Sequence, residues 1–265
     1  MNGKLLMARW AMALFLSLIP GAALAEDPAS LVRQSQAAFH YAGIDLKARV
    51  KMTLLTKEGQ QRLRDLMMLR KNEAGGNQRY FLYFHGPADV RGTVFMVYKY
   101  PDREDDRWLF IPALNLVQRV AARDSRSSFV GSDFSYEDIS GRDVEADTHK
   151  VLRVEALGSQ QTVVIESVPA READYARKLT WIDQPSHLPL KEEYYDVQGA
   201  LYKVFTADEI RDVQGVPTIM KRTMTNVKTG HKTEVVFESV AYNVGLGDDI
   251  FTERTLRRPP EKWLR

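Results

Sequence analysis

The strongest constraint on this chain is a period of two that recurs from segment to segment. In DLKARVKMTLLT the side chains Leu46, Ala48, Val50, Met52 and Leu54 alternate with Lys47, Arg49, Lys51 and Thr53. Successive side chains of an extended strand point to opposite faces, so this segment has one buried face and one wet face. KEGQ supplies a hairpin turn, and QRLRDLMMLRK returns with Leu63, Met67 and Leu69 on one face. RYFLYFHG and GTVFMVYKY, parted by PADVRG, carry the β-branched and aromatic residues that suit a pleated surface. The same reading predicts strands at DRWLFIP, LVQRVA, KVLRVEAL, TVVIESVP, ARKLTWID, LPLKEEYYD, ALYKVFTADEI, TIMKRTMTNV and TEVVFESVAY. VQGA, VQGV and KTGH are the turns between the later ones.

Hairpin-linked strands with a polar residue at alternate positions predict a mainly β protein built as an antiparallel meander. A meander of that size covers its apolar face by curling into a barrel or half-barrel. One helix precedes it. In DPASLVRQSQAAFHYAG, Asp27 caps, Pro28 suits the first turn, and Leu31, Gln34, Ser35, Ala38 and Phe39 share one side before Gly43. The longest stretch without strand character runs from Ala122 to Thr148. A loop that long in a compact β domain either carries function or has local structure of its own.

The first residues bear on compartment. Lys4 and Arg9 form a positive segment, WAMALFLSLIP is apolar, Pro20 and Gly21 break it, and Ala23 to Ala25 offer an A-x-A cleavage site. Residues 1–25 are therefore read as a cleavable signal peptide, and 26–265 as a single domain. A membrane anchor is the alternative, but the apolar run is short for a bilayer span. No cysteine is present, which excludes disulfides, thiol catalysis, cysteine-held metals and the lipidated cysteine of a bacterial lipoprotein. The expectation is a bacterial periplasmic protein, exported and not lipidated. The formal charge of +2 is carried by Lys4 and Arg9, so the exported chain is neutral overall, and nothing points to nucleic acid as a partner. The basic end RTLRRPPEKWLR reads as a solvated tail, with transient contact to an anionic membrane surface as the other reading.

Motifs for chemistry are lacking. His40, His85, His149, His187 and His231 are scattered, with no HxH or HExxH spacing for a metal. VGSDF lacks the second glycine of a nucleophile elbow, and GLGDDI lacks the third glycine of a dinucleotide fingerprint. No catalytic residue, cofactor or metal is expected. The acids Asp105, Asp106, Asp133, Glu137 and Asp138 could form an acid/base pair or hold calcium, but their spacing lacks the donors and central glycine of an EF-hand loop. The simpler reading has Ser132 or Asp133 capping a short helix in GSDFSYEDI, with the early acids complementing its dipole.

Three pieces together form a specific pattern: Gly92, Thr93 and Phe95; then Asp105, Asp106, Trp108, Leu109 and Ile111 to Leu114; then Ser128, Phe129 and Gly131 to Asp138. Over about fifty residues the chain closely resembles the outer-membrane lipoprotein-sorting proteins of the LolA-like superfamily of periplasmic carriers, and DDIFTERTL resembles their closing segment. Gln118 and Ser127 depart from the pattern, where arginine and glycine are expected. The resemblance implies an unclosed antiparallel β-barrel, a LolA/LolB-like half-barrel, around a hydrophobic cavity plugged by short helices. It implies acyl chains of lipids or lipoproteins as ligands, and an RND-type inner-membrane exporter as a partner.

Joined to the strand pattern, this places a cavity wall at Val50, Met52, Phe81, Tyr83, Phe95, Val97, Trp108 and Phe110. Alternation alone does not say which face is inward, because a one-residue change of register exchanges the two sets. The lid is expected at Phe129, Phe134, Tyr136 and Ile139, and a polar rim at Arg119, Arg123 and Arg126 pairs with the lid acids. Two other readings stand beside the carrier: a lipid-free adaptor for an exporter or envelope protein, and a hydrolase using loop carboxylates.

Overall fold

The computed structural model describes residues 27–121, 124–171 and 173–265. The leader read from residues 1–25, and Arg123 of the expected rim, lie outside them. Helix α1 (Pro28–His40) starts as its sequence dictates: the Asp27 carboxylate accepts the Ser30 N–H at 3.1 Å, with Pro28 in the first turn. Strands β1 (Asp45–Leu55), β2 (Gln61–Asn72), β3 (Gln78–Gly86), β4 (Val94–Lys99), β5 (Asp106–Ile111) and β6 (Leu116–Arg119) follow. After helix α2 (Tyr136–Ser140) come β7 (Asp147–Leu157), β8 (Gln160–Pro169), β9 (Arg177–Asp183) and β10 (Pro189–Tyr195). The chain ends with β11 (Leu201–Val213), β12 (Val216–Asn226), β13 (Lys232–Tyr242) and helix α3 (Glu253–Arg257).

The thirteen strands form one antiparallel sheet in the order β6-β5-β4-β3-β2-β1-β13-β12-β11-β10-β9-β8-β7. Two meanders are joined where β1 pairs with β2 on one side and β13 on the other, setting Val50 opposite both Leu66 and Phe237. The sheet does not close. Its free edges are β6 and β7, and the segment between them in sequence, residues 120–146, carries the chain from one edge to the other. Bulges at Arg49/Val50, Asp65/Leu66 and Val151/Arg153 raise the local twist and help the sheet to curl.

Both faces are apolar across β2 to β5. The inner face carries Ala48, Val50, Met52, Leu66, Leu82, Phe84, Phe95 and Val97, all buried in the main core. The outer face carries Met67, Leu69, Phe81, Val94, Met96 and Phe110, covered by Leu246, Ile250, Phe251, Leu256 and Leu264 of the C-terminal segment. The basic end is thus not a solvated tail. Its charged residues Arg257, Arg258 and Lys262 stay exposed, while Leu256 and Leu264 seal a second core. Asp45 fixes this segment, its carboxylate accepting the N–H groups of Val244, Gly245 and Leu246 at 2.6, 2.9 and 2.8 Å. On the inner side Arg70 donates to the carbonyls of His40 and Ala42, pinning the end of α1 over the mouth of the half-barrel.

Candidate functional site

The segment between the free edges folds back into the concave face. Phe129 opens a tight turn, its N–H bonded to the Phe134 carbonyl at 2.7 Å, while the Ser132 hydroxyl donates to the Phe129 carbonyl at 2.7 Å. Ser135 caps α2 with a reciprocal box: its hydroxyl accepts the Asp138 N–H, and the Asp138 carboxylate accepts the Ser135 N–H at 2.7 Å. The cap is therefore Ser135, not Ser132 or Asp133, because Phe134 is drawn inward ahead of the helix. Gly141 ends α2 at φ +81°, where a Cβ would stand 3.1 Å from the His40 ring. Val130 also adopts a left-handed φ of +48°, which costs a β-branched residue about 1–2 kcal/mol.

Phe129, Phe134, Tyr136 and Ile139 are all buried against the inner face. The Phe129 ring lies 5.3 Å from that of Phe95, 5.5 Å from Tyr136 and 5.9 Å from Phe84. These tilted and edge contacts are the favoured aromatic geometries.

The acids of the segment serve as fasteners. Asp133 accepts from His231 Nδ1 and from the Thr233 hydroxyl, both at 2.7 Å. Asp138 meets Lys203 at 3.2 Å, and Lys203 also reaches Asp174 at 3.4 Å. Glu137 pairs with Arg142 at 3.1 Å, and Arg142 bridges on to Asp147, which accepts from the Tyr175 hydroxyl at 2.5 Å. Burial opposes the charge on Asp138, but Lys203 and the Ser135 bonds outweigh it and hold the carboxyl below its ordinary range. Burial and neighbouring Asp138 and Asp174 push Glu137 up. Of the three arginines of the expected rim, Arg119 and Arg126 are among the described residues. Arg119 pairs with Asp106 along the β5–β6 edge, whereas Asp105 meets Arg107 at 2.6 Å. Arg126 lines a polar cleft of about 640 Å³ that Arg142 and Glu137 also border. Glu137 thus takes a local partner, whereas Asp138 and Asp133 take theirs from β11 and from the start of β13, far in sequence and beyond the reach of local charge pairing.

The expected wall splits between the two faces. Val50, Met52, Phe95 and Val97 line the inner face under the lid. Phe81, Tyr83, Trp108 and Phe110 lie on the outer face, against the C-terminal segment. The physical reason is that β3 and β5 are apolar on both sides, so no polar phase marks which side is which. On β3 the inward set is Tyr80, Leu82 and Phe84.

Small cavities of about 100, 50 and 20 Å³ lie between lid, α1 and inner face. One residue borders all three: Arg222 of β12. Its guanidinium sits 5.2–5.5 Å from the ring centres of Phe39, Phe134 and Phe237, and burial pushes it down to about 10. His40, bordering two of these cavities, is held well below its ordinary range by burial and by Lys99, Arg222, Arg70 and Lys178. Among the described residues, no group of three or more histidine, aspartate or glutamate side chains could hold a metal.

A family model described as that of an uncharacterized protein matches residues 76–258. A domain from Vibrio parahaemolyticus named for outer membrane lipoprotein sorting is 28% identical, with a TM-score of 0.81 over 87% of this chain and 98% of its own. A DUF1329 family protein from Desulfovibrio piger is 26% identical, with a TM-score of 0.80 over 87% of this chain and 99% of its own. The chain belongs to this LolA-like family. A LolA superfamily protein from Nitrosomonas europaea, 20% identical, superposes with a TM-score of 0.67 over 86% of this chain and 98% of its own, a likeness of fold alone. No curated protein matches.

Within the LolA-like frame, the residues that sequence reasoning missed are the charged ones on the inner face of β9 to β12. Lys203 is two residues from Phe205, and Arg222 two from Met224, so each occupies the phase of a buried apolar neighbour. A charge in the apolar phase of a strand was the available signal.

Proposed function

We propose that this LolA-like chain is an exported periplasmic carrier. It takes up acyl chains of lipids or lipoproteins on the inner face of its half-barrel and hands them on, with an RND-type inner-membrane exporter as the exchange partner. The observation that carries this reading is the lid, whose Phe129, Phe134, Tyr136 and Ile139 occupy the apolar wall of an unclosed sheet. The family relationship and the sequence signal for export support it. The exposed basic residues Arg257, Arg258 and Lys262 supply the transient contact with a membrane surface.

The closed interior is too small for cargo. The space that Phe39, His40, Phe134 and Arg222 border is about 100 Å³, whereas ligand sites are typically about 300–1,000 Å³. The lid must therefore lift. Burying one large apolar side chain is worth about 1.5–3 kcal/mol, so four of them hold the lid by roughly 6–12 kcal/mol at most. A sixteen-carbon chain gains on the order of 12 kcal/mol at about 0.8 kcal/mol per CH₂. Lid and cargo thus compete for one wall on nearly equal terms, which makes capture reversible. The acids are read as lid fasteners and not as an acid/base pair, since each is committed to a cation, hydroxyl or backbone donor.

Native mass spectrometry of the exported chain, followed by uptake of labelled phospholipid from vesicles, tests the proposal. A stoichiometric lipid adduct is expected, and Phe134→Asp should change its retention. A chain that is free of adduct and takes up no lipid would overturn the carrier in favour of the adaptor.

A further inference from the structure

Arg222 is nine-tenths buried, yet its side chain makes no hydrogen bond or ion pair among the described residues, and its Nε is sealed from solvent without a partner. The other buried cations around it are all matched. Lys203 holds Asp138 and Asp174, Lys178 meets Glu192 at 3.1 Å, Lys99 donates to the Gly141 carbonyl at 2.7 Å, and Arg70 is spent on the end of α1. Asp138 acts on Arg222 through space without forming an ion pair with it, and its Oδ2 is engaged by Lys203 and the Ser135 N–H.

A guanidinium carries five N–H donors in a fork that matches an oxyanion. Three phenylalanine rings give it cation–π attraction but leave those donors unused. Burying an unmatched charge is costly, and an apolar side chain would fill the same place at less cost. Two of the three rings, Phe39 and Phe134, belong to α1 and the lid, the elements that must part to admit cargo. When they part, Arg222 is left bare at the junction of the three cavities. The geometry points to Arg222 as the seat of an oxyanion on the cargo, so that the carrier selects single-chain amphiphiles with a carboxylate or phosphate head over uncharged chains.

This inference rests on the carrier reading, and the test separates the two. The exported chain, freed of lipid, is titrated calorimetrically at pH 7.5 with hexadecanoate, with hexadecanol and with inorganic phosphate. Wild type should bind hexadecanoate at least tenfold more tightly than hexadecanol. Arg222→Met should bring that ratio close to one, and Arg222→Lys, which keeps the charge without the fork, should retain part of it. Should the methionine variant not fold, Arg222→Lys and Arg222→Gln decide the matter by the same ratio. Equal binding of both chains by wild type overturns the role of Arg222 and leaves the carrier standing. Binding of neither chain overturns both. Inorganic phosphate bound as tightly as hexadecanoate, and lost in Arg222→Gln, overturns the lipid head in favour of a free anion.

Discussion

Removing the Phe129 ring should make this protein bind cargo more tightly. The ring is wholly buried, with Phe95, Tyr136 and Phe84 around it, and belongs to the lid and not to a strand. A buried Phe→Ala change costs about 3–5 kcal/mol. In a strand that cost would fall on global stability. On the proposed carrier reading it falls on the closed lid, which competes with cargo for the same wall. Apparent affinity is the intrinsic affinity scaled by the fraction of open molecules. At about 1.4 kcal/mol per tenfold, Phe129→Ala should raise it by roughly two to three orders of magnitude while the lid remains mostly closed. Uptake from vesicles measures the affinity, and hydrogen exchange locates the change. Amides of residues 127–141 should exchange faster by a similar factor, while those of β1 and β13 keep their protection. Weaker uptake, or faster exchange throughout the sheet, would mean that Phe129 is ordinary core and that the lid does not open as a unit.

Two further outcomes follow from the charges. His40 has a folded pKa below its unfolded one, so the unfolded state binds more protons and stability should fall as pH drops through about 6.5, by at most about 1.4 kcal/mol per pH unit for this residue. His85, lowered by burial and Arg49, acts in the same direction, so urea titrations at pH 7.5 and 5.5 should show a slope that shrinks in His40→Gln, and an unchanged slope would refute the assignment. Asp45→Ala leaves three N–H groups without their acceptor and should cost about 3–5 kcal/mol, read as a lower urea midpoint with new dye binding at the outer cluster around Phe81 and Met96; a loss below about 1 kcal/mol would show that the C-terminal segment is held by packing alone.

How far the sequence could be read depended on whether a polar phase was present. Along β1 the lysines, arginine and threonine alternate with a buried set, so both strand and face were legible at Leu46 to Leu54. The later hairpins were legible too, because turn residues punctuate them. In β3 the segment RYFLYF is apolar on both sides, and only the cover supplied by Leu256 and Leu264, nearly two hundred residues away, tells the two faces apart. Phe129, Phe134, Tyr136 and Ile139 stood out because apolar residues in a long loop call for cover, and all four are buried against the inner face. The partners of the lid's acids, Lys203 on β11, Thr233 on β13 and His231 just ahead of β13, are brought close only by the sheet order, and nothing local to GSDFSYEDI points to them.

The topology itself leaves the lid free to move as a unit, and the absence of cysteine allows a clean test of that motion. The lid is the connection between the two free edges, so it can lift without breaking any pairing within the sheet. Its tip is fastened to β13 through Asp133, whose N–H lies 3.0 Å from the Thr233 hydroxyl. Asp133→Cys with Thr233→Cys would place the chain's sole two thiols at that fastening. A disulfide between them would tie the lid tip to the wall. Oxidised, the variant should take up no lipid from vesicles, and reduction should restore uptake within the same sample. That comparison holds composition and fold constant, so it isolates motion from contact. Equal uptake before and after reduction would place cargo entry elsewhere, at the outer cleft or along the free edges.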